Sequence, residues 1–595
     1  MREQLLALRE KMREKGIDIV VVPTADYHES EYAGAFFACR KYLTGFTGSA
    51  GTAVVTADEA GLWTDGRYFL QAEAQLKDSG FALFKSGEKG VPRTAEFIEE
   101  KLPEGGVIGF DGRVVNADWG RELAEIAKKK NGSLHTDEDL IGLIWEDRPA
   151  LSCTKAWILG QEYAGETAAD KIARVRKEMA DKGCAMHVVT CLDDIAWLLN
   201  LRASDVAHCP VLFSYLVLTQ KGCMLYVQED AVGEEVRQYL SSNGVSVQPY
   251  DAIYSLADAL GHRSVGKVLM NARTVNYRLY EAIAAGNEIV DAVNPSQLMK
   301  ACKNPTEVEN IRKAHVKDGV ALVKWLKWLK ENVGRIPMTE ISAADKLAEY
   351  RRAQEGFIDL SFNTICGYEA HGAIIHYGAT EETNVPVEAK GLLLVDSGGH
   401  YIEGSTDITR TIVLGPVTDE QKKMFTLVLK GHFDLASARF PRGVAGINLD
   451  VLARRPLWNE GLDYRHGTGH GVGYLINIHE GPNSFRWQQT AMKSAALQEG
   501  MITSDEPGYY EDGVFGIRHE DELLVVKDKE TPYGEFLRFE NLTYCPFDLE
   551  GIDRSLLEPG DIALLNAYHR HVYETLAPFL TKEEALWLHY ETREI

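Results

Sequence analysis

The chain has 595 residues, enough for about three to five domains of ordinary size. Hydrophobic residues make up 45% of it and charged residues 26%, which is typical of a globular protein and excludes a disordered or collagen-like chain. With 64 basic and 88 acidic residues the net charge is −24, so the protein repels a phosphate backbone and nucleic acid is not expected as a partner.

Neither the apolar runs nor the cysteines point to a membrane or to an oxidising compartment. The longest apolar runs, such as residues 19–22 and 392–395, fall far short of the roughly 20 residues that cross a bilayer. The N-terminal residues mix acidic and basic side chains without the apolar core of a signal peptide, and they predict an amphipathic helix. Nine cysteines are scattered without a Cys-x-x-Cys pair, as in a reducing compartment. We therefore expect a cytoplasmic protein with no membrane partner.

An internal repeat marks the first half of the chain. In two places a helix-like stretch ends at a glycine and is followed by an apolar run, and this order predicts a buried strand after each helix. The shared positions are Arg9, Met12, Lys15 and Gly16 in the first copy, and Arg176, Met179, Lys182 and Gly183 in the second. The repeat predicts two related α/β domains, over residues 1–155 and 156–300.

A third domain is predicted over residues 301–540, with a helical extension over residues 541–595. Asn304 followed by Pro305 has the order of a helix cap and a first helical turn. In the tail, a capping box that starts at Thr581 opens the last predicted helix. The middle of the domain alternates glycine- and proline-rich turns with strand-like runs, at residues 391–396, 406–414 and 515–526.

Two of these strand-like runs carry an aspartate at the end where they would meet. The apolar run over residues 392–396 ends in Asp396, and the next run begins with Asp407. Glycine-rich residues 398–404 supply a turn between them, so a hairpin would set the two carboxylates side by side. A single acid at a strand end is more often solvated, but the apolar runs would draw both of these inward.

Three further groups lie downstream. His470 is in a glycine-rich loop, Glu506 follows another strand-like run, and Glu520 lies within the run over residues 515–526. Strand alternation along that last run puts Glu520 on one face together with Arg518 and Glu522, and puts His519 and Asp521 on the other. We assign no functional role to the side chains of the second face.

Convergence of these acids would require cations. Four buried carboxylates repel one another and could not all stay ionised alone, whereas two divalent cations would balance their charge. Oxygen-rich ligation with one imidazole suits a hard or borderline ion such as Mn²⁺ better than a closed structural zinc site.

Taken with their flanking residues, these groups closely resemble those of the pita-bread metallopeptidases, a family that includes methionine aminopeptidase, prolidase and aminopeptidase P. The resemblance is closest to the cytosolic type of three-domain Xaa-Pro aminopeptidase and extends over essentially the whole chain. In the third domain it rests on residues 340–346, 372–377, 466–471 (His-Gly-Thr-Gly-His-Gly), 479–482 (His-Glu-Gly-Pro) and 505–508 (Asp-Glu-Pro-Gly). In the first two domains it rests on residues 30–32, 48–52, 63–71, 194–198 and 213–215.

The resemblance implies two creatinase-like α/β domains followed by a pita-bread catalytic domain that holds two divalent ions per chain. Asp407 and Glu520 would bind both ions, Asp396 would bind one of them, and His470 and Glu506 would bind the other. Mn²⁺ is favoured, with Co²⁺ or Zn²⁺ as alternatives. Relatives commonly dimerise through the catalytic domain, so a homodimer is expected.

The implied function is that of a metalloaminopeptidase. It would release the N-terminal residue from peptides with proline in the second position, by attack of a hydroxide that bridges the two ions. Glu506 would exchange protons with the attacking water and the leaving nitrogen. His376 and His479 would hydrogen-bond the peptide and the tetrahedral intermediate.

The resemblance also implies the substrate pockets. His466, Tyr510 and Arg518 would form the walls of a proline pocket, and Phe362 would line the pocket for the N-terminal residue. Two alternatives stay open. A prolidase restricted to Xaa-Pro dipeptides would normally be shorter by a domain. A non-catalytic peptide-binding or chaperone module on the same fold would have eroded ligands, whereas here all five ligand positions are intact.

Overall fold

A computed structural model describes residues 2–488 and 495–595 of the chain. It divides into two compact units, one of residues 1–159 and 166–296, the other of residues 160–165 and 297–595. No helix within the described residues combines the length and the apolar composition that crossing a membrane requires.

The first unit begins with a six-stranded mixed sheet. Its strands are β1 (Ile19–Pro23), β2 (Thr52–Thr56), β3 (Ala60–Thr64), β4 (Ala82–Lys85), β5 (Val107–Gly109) and β6 (Ser133–His135). They lie in the order β4-β3-β2-β1-β5-β6, with β1 antiparallel to β2 and parallel to β5. Alternate residues of β1 pack into separate hydrophobic clusters, Val20 and Val22 in one, Ile19 and Val21 in the other. The accompanying helices are α1 (Glu3–Lys15), α2 (Cys39–Thr44), α3 (Phe69–Gln75), α4 (Thr94–Lys101) and α5 (Ala117–Lys129).

A second six-stranded sheet completes this unit. Its strands are β8 (Met186–Val189), β10 (Ser214–Thr219), β11 (Cys223–Val227), β12 (Ser246–Pro249), β13 (Lys267–Met270) and β14 (Glu288–Asp291). The short strands β7 (Trp157–Ile158) and β9 (Leu201–Arg202) pair with each other in a separate sheet. Their order is β12-β11-β10-β8-β13-β14. The helices that follow in the chain are α6 (Gln161–Ala164), α7 (Ala168–Asp181), α8 (Leu192–Leu199), α9 (Glu234–Ser242), α10 (Ala252–His262), α11 (Tyr277–Ala284) and α12 (Pro295–Ala301).

The two sheets repeat one topology. Strand order is the same in both, and so is the direction of each pair, antiparallel for β1/β2 and β8/β10, parallel for β1/β5 and β8/β13. The repeated arginines make the same contact: Arg9 Nε donates to the Thr56 carbonyl at the end of β2 over 3.0 Å, and Arg176 Nε donates to the Thr219 carbonyl at the end of β10 over 2.9 Å. The topology therefore agrees with the repeat in the sequence.

In the described part of the second unit, six α-helices follow α12 in the chain. They are α13 (Pro305–Asn332), α14 (Glu340–Arg352), α15 (Asp419–Ala436), α16 (Gly446–Trp458), α17 (Pro559–Leu576) and α18 (Lys582–Glu591). Asn304 caps α13 and Thr581 caps α18, each in a capping box with a glutamate three residues on. Both predicted helix starts are thus confirmed.

Four sheets accompany these helices. Their strands are β15 (Phe357–Leu360), β16 (Ile365–Tyr368), β17 (Leu392–Ser397), β18 (Gly399–Tyr401), β19 (Gly404–Ser405), β20 (Ile408–Val413), β21 (Arg439–Pro441), β22 (Gly469–Gly471), β23 (Glu480–Phe485), β24 (Ile502–Asp505), β25 (Gly508–Glu511), β26 (Phe515–Arg518), β27 (Asp521–Thr531) and β28 (Gly534–Asn541). The sheets are β15-β18-β19, β16-β17-β20, β25-β26 and the six-stranded β21-β28-β27-β24-β22-β23.

Two of the strand predictions need correction. β17 and β20 do pair, but the residues between them are not a simple turn, because they form β18 and β19 and extend a separate sheet through β15. The run over residues 515–526 is not one strand. It breaks at His519 and Glu520, because β26 pairs with β25 whereas β27 pairs with β24 and β28.

Candidate metal centre and peptide site

Asp396 lies in β17, and Asp407 immediately precedes β20, the strand that pairs with β17. β17 and β20 are antiparallel, and Asp396 lies opposite Thr409, two residues beyond Asp407. The Asp407 backbone N–H donates to the Glu522 carboxylate over 2.7 Å, which ties the start of β20 to β27. Asp396 Oδ2 accepts a 2.7 Å bond from Arg518, while its buried Oδ1 has no hydrogen-bond partner in the described part of the chain.

His470, Glu506 and Glu520 join these aspartates. His470 Nε2 lies 3.4 Å from Asp407 Oδ2 and 3.9 Å from Glu506 Oε1. One ligand atom each from Asp407, His470 and Glu520 lies within 4.8 Å of the other two. Glu520 lies at the break between β26 and β27, where two bonds to Thr409 fix its position. Its N–H donates to the Thr409 carbonyl, and its Oε2 accepts a 2.7 Å bond from the Thr409 hydroxyl.

Burial and mutual repulsion raise the pKa values of three of these acids. Burial raises the pKa of Asp407 well above its ordinary value, and the Asp396 charge raises it further. Burial also raises the pKa of Glu520, with added contributions from Asp407, Asp396 and Glu506. Burial raises the pKa of Glu506 as well, against the opposing charge of His470. Without nearby cations such a group holds protons that it would release to bind metal.

The donor set fits divalent ions. Four carboxylates and one imidazole supply oxygen-rich ligation, and ligand atoms around one ion are expected about 3–4 Å apart, close to the separations measured here. The buried Oδ1 of Asp396 is an acceptor without a donor, which a cation would satisfy. The five side chains predicted as ligands therefore form one group capable of holding metal.

A second buried network lies directly behind two of these ligands. Asp505 precedes Glu506 and Asp521 follows Glu520, and the two aspartates are opposite each other in the β24/β27 pair. His432 of α15 lies between them, with Nδ1 3.3 Å from the Asp505 carboxylate and Nε2 3.2 Å from that of Asp521. No local sequence pattern marks this network, because His432 lies about 70 to 90 residues from its partners in the chain.

The sequence analysis also left Asp521 without a role. Arg410 donates to its carboxylate over 2.8 Å, and Asn541 Nδ2 also donates to it. Burial raises the pKa of Asp521, but Arg410 and His432 outweigh burial and hold that pKa below its ordinary value. Asp521 is therefore an ionised structural residue on the face opposite Arg518, Glu520 and Glu522.

The three predicted proline-pocket residues contact one another. The Tyr510 hydroxyl lies 2.8 Å from His466 Nε2 and accepts a 2.9 Å bond from Arg518 Nη1. Burial and the Arg518 charge lower the pKa of His466 to about 3, so its imidazole is neutral near pH 7. Burial raises the pKa of Tyr510 to about 12, so this side chain is also uncharged. Because Arg518 also contacts Asp396, the wall is continuous with the metal-binding group.

The remaining predicted residues surround this group. The His479 ring packs edge-on against the His470 ring, with centroids 4.3 Å apart. His376 is exposed, and its charge contributes to the lowered pKa of His466. Phe362 is buried, and the neighbouring Ser361 hydroxyl donates to the carbonyl that precedes Asp407 over 2.8 Å.

The chain matches four descriptions of known protein families in succession. Residues 4–143 match a creatinase/prolidase N-terminal domain, and residues 147–307 match a second form of that domain. Residues 309–527 match metallopeptidase family M24, and residues 535–595 match the C-terminal region of that peptidase.

Individual proteins match over nearly the whole length. Aminopeptidase P2 of Arabidopsis thaliana is 41% identical, over 98% of this chain and 88% of its own. The crystal structure of X-prolyl aminopeptidase from Caenorhabditis elegans, described as a cytosolic enzyme with a di-nuclear active site, has a TM-score of 0.94 at 34% identity and covers 100% of this chain and 99% of its own.

A dipeptidase matches less of the molecule. The Xaa-Pro dipeptidase of Bacillus anthracis aligns over 99% of its own chain but only 64% of this one, with a TM-score of 0.51 at 23% identity. This similarity is one of fold alone.

Proposed function

Because this chain belongs to the Xaa-Pro aminopeptidases of metallopeptidase family M24, we propose that it releases the N-terminal residue from peptides whose second residue is proline. The observation that carries the proposal is the convergence of Asp407, His470, Glu506 and Glu520 in one buried group. Intact ligands argue against a non-catalytic binding module. Relatives that match nearly the whole chain and are named as aminopeptidases favour an aminopeptidase over a prolidase.

The proposed cofactor is a pair of divalent ions, Mn²⁺ in preference to Co²⁺ or Zn²⁺. Asp407 and Glu520 would contact both ions, Asp396 one of them, and His470 and Glu506 the other. Two such ions supply an activated water and a polarised scissile carbonyl. The oxygen-rich donor set supports Mn²⁺, because carboxylates prefer hard ions.

Protein side chains carry the proton and orient the peptide. Glu506 is suited to accept a proton from the attacking water and to deliver it to the leaving nitrogen, because its carboxylate lies among the proposed ligands, 3.9 Å from His470 Nε2. His479 is next to the ligand His470 and can hydrogen-bond the developing oxyanion. His376, exposed at the site, is suited to bind the substrate backbone.

The wall of His466, Tyr510 and Arg518 supports a proline-specific pocket. A neutral imidazole and a neutral phenol offer flat surfaces against which a pyrrolidine ring can pack without losing a hydrogen bond, since proline has no N–H to satisfy. Phe362 would line the pocket for the residue that is released. A peptide with further residues after proline needs an open exit beyond this wall.

Organisation and location complete the proposal. We propose domains at residues 1–155, 156–300 and 301–540, with residues 541–595 as an extension of the third. A cytoplasmic location is supported by the C. elegans relative, which is described as cytosolic. A homodimer is proposed from family resemblance alone, and size-exclusion chromatography with light scattering tests it.

Metal removal tests the proposed chemistry. The metal-depleted protein should not cleave Arg-Pro-Pro, and Mn²⁺ should restore release of arginine. Asp407→Ala should abolish both activity and metal retention, because it removes a ligand shared by both ions and unbalances the buried charge. Asp345→Ala, a change at an exposed acid of α14, should do neither. Full turnover with two bound metals in Asp407→Ala would refute the assignment.

A further inference from the structure

One buried carboxylate organises the segment that carries His376. Glu340, the first residue of α14, is fully buried. Its carboxylate accepts a 2.8 Å bond from the Tyr368 backbone N–H and a 2.8 Å bond from the Tyr377 hydroxyl. His371 Nδ1 lies 2.9 Å and 3.1 Å from its two oxygens. These three partners lie within residues 368–377, the segment that ends at the neighbour of His376, and the Val385 N–H adds a longer 3.4 Å bond.

The same segment is fixed at its base by other contacts. The Glu369 carboxylate accepts a 2.6 Å bond from the Leu392 N–H at the start of β17. Gly372 packs so closely on Gly516 that a Cβ at position 516 would collide with the Gly372 carbonyl. These contacts hold the first half of the segment. In its second half, residues 374–377, Arg518 donates a long 3.4 Å bond to the Ile375 carbonyl, and the shortest side-chain bond is the one from the Tyr377 hydroxyl to Glu340.

His376 needs this orientation because its own side chain is exposed. The neighbouring Tyr377 is buried, its ring stacks on His371 with centroids 4.4 Å apart, and its hydroxyl reaches Glu340. A buried side chain next to an exposed one fixes the direction in which the exposed one leaves the backbone. A misplacement of about 1 Å in a substrate-binding group can cost on the order of 100-fold in rate.

We propose that Glu340 is a positioning residue for His376, acting through Tyr377 and His371. This inference rests on the proposed function, because it assigns His376 a contact with substrate. A purely structural helix start would stabilise the domain equally whether or not His376 is present. A positioning residue loses its effect on turnover once His376 is removed.

The test is a double-mutant cycle on Arg-Pro-Pro hydrolysis by the metal-loaded, full-length protein. Glu340→Gln keeps the shape but replaces one acceptor oxygen with a donor, and Tyr377→Phe removes only the hydroxyl. Each should lower kcat/KM by about 10-fold in the native background and less than about twofold in the His376→Ala background. Bound metal should be unchanged in all of these variants.

Tyr368→Phe is the matched control. Its hydroxyl donates to the Lys390 carbonyl, away from Glu340, so kcat/KM should stay within about twofold of the native value. Equal fold losses in both backgrounds would overturn the positioning role, as would native activity in both Glu340→Gln and Tyr377→Phe. No loss in His376→Ala itself would instead refute the role of His376 in the proposed function.

Discussion

At the scale of single residues, the role of His479 can be tested as either metal ligation or catalysis. His479 packs edge-on against His470, with 4.3 Å between the ring centroids. A group that acts mainly on the transition state should affect kcat more than metal binding.

His479→Ala should therefore lower kcat by about 100-fold while both metals stay bound. Steady-state kinetics together with elemental analysis of the purified variant measures the two quantities separately. Loss of metal would make His479 a ligand, and an unchanged kcat would make it structural.

The sequence contained strong signals for residues at strand ends and in glycine-rich loops. Asp396 and Asp407 stood out because acids terminate apolar runs there, and the structure brings both into one group. Glu340 stood out only as part of the matched stretch 340–346, and His432 gave no signal. Their partners lie 28 to 89 residues away in the chain, and only the folded backbone brings them together.

At the scale of secondary-structure elements, α15 contacts the strands that carry two of the proposed ligands. His432 is buried between Asp505 and Asp521, each adjacent in sequence to a proposed ligand. The two aspartate charges outweigh burial and raise the pKa of His432, which favours an imidazolium between two carboxylates.

His432→Ala should lower the free energy of unfolding by about 3–5 kcal/mol, because it removes the cation beside the buried Asp505 carboxylate and one of the two cations beside Asp521, which keeps Arg410. It should also weaken metal binding by about 10- to 100-fold, as expected for a residue that orients ligands. Phe433→Ala on the same helix should cost similar stability through lost packing but leave metal affinity intact. Calorimetry and metal titration of both variants compare them, and equal metal affinity in the two would contradict this role.

Helix starts were more predictable than strand limits. A capping box is local, so Asn304 and Thr581 could be identified from a few neighbouring residues. The break at His519 and Glu520 depends on β24, β25 and β28, which compete for the same run of residues. Alternation nevertheless survived the break, because Arg518, Glu520 and Glu522 all contact the side that holds Asp396, Asp407 or Thr409.

At the scale of the whole molecule, buried neutral histidines should make stability sensitive to acid. His187 of β8 is fully buried, donates a 2.9 Å bond from Nδ1 to the Leu269 carbonyl, and has a pKa lowered by burial to about 4. Its pKa in the unfolded chain is about 6.5, so between these two pKa values His187 is protonated in the unfolded chain but neutral in the folded one.

Stability should therefore be lost as the pH falls from about 6.5 to about 4, by up to about 3 kcal/mol from this residue. His187→Asn keeps an amide donor near the Nδ1 position but does not titrate, so its stability should fall less over the same range. Thermal unfolding of both proteins near pH 7 and near pH 4.5 measures the difference. Parallel losses in the two would show that His187 does not contribute.

The repeat of two sheets in the first unit was visible in the sequence, whereas the length of substrate that the protein accepts was not. A dipeptidase must recognise a carboxylate directly after proline, whereas an aminopeptidase must leave room for more chain.

Comparison of Arg-Pro-Pro, Arg-Ala-Pro and Arg-Pro under one metal condition tests the central claim most directly. We predict rapid release of arginine from Arg-Pro-Pro, loss of most of kcat/KM for Arg-Ala-Pro because alanine does not fill the wall of His466 and Tyr510, and slower cleavage of Arg-Pro. Equal rates for the first two peptides would contradict the proline pocket, and a faster dipeptide would contradict the aminopeptidase in favour of a prolidase.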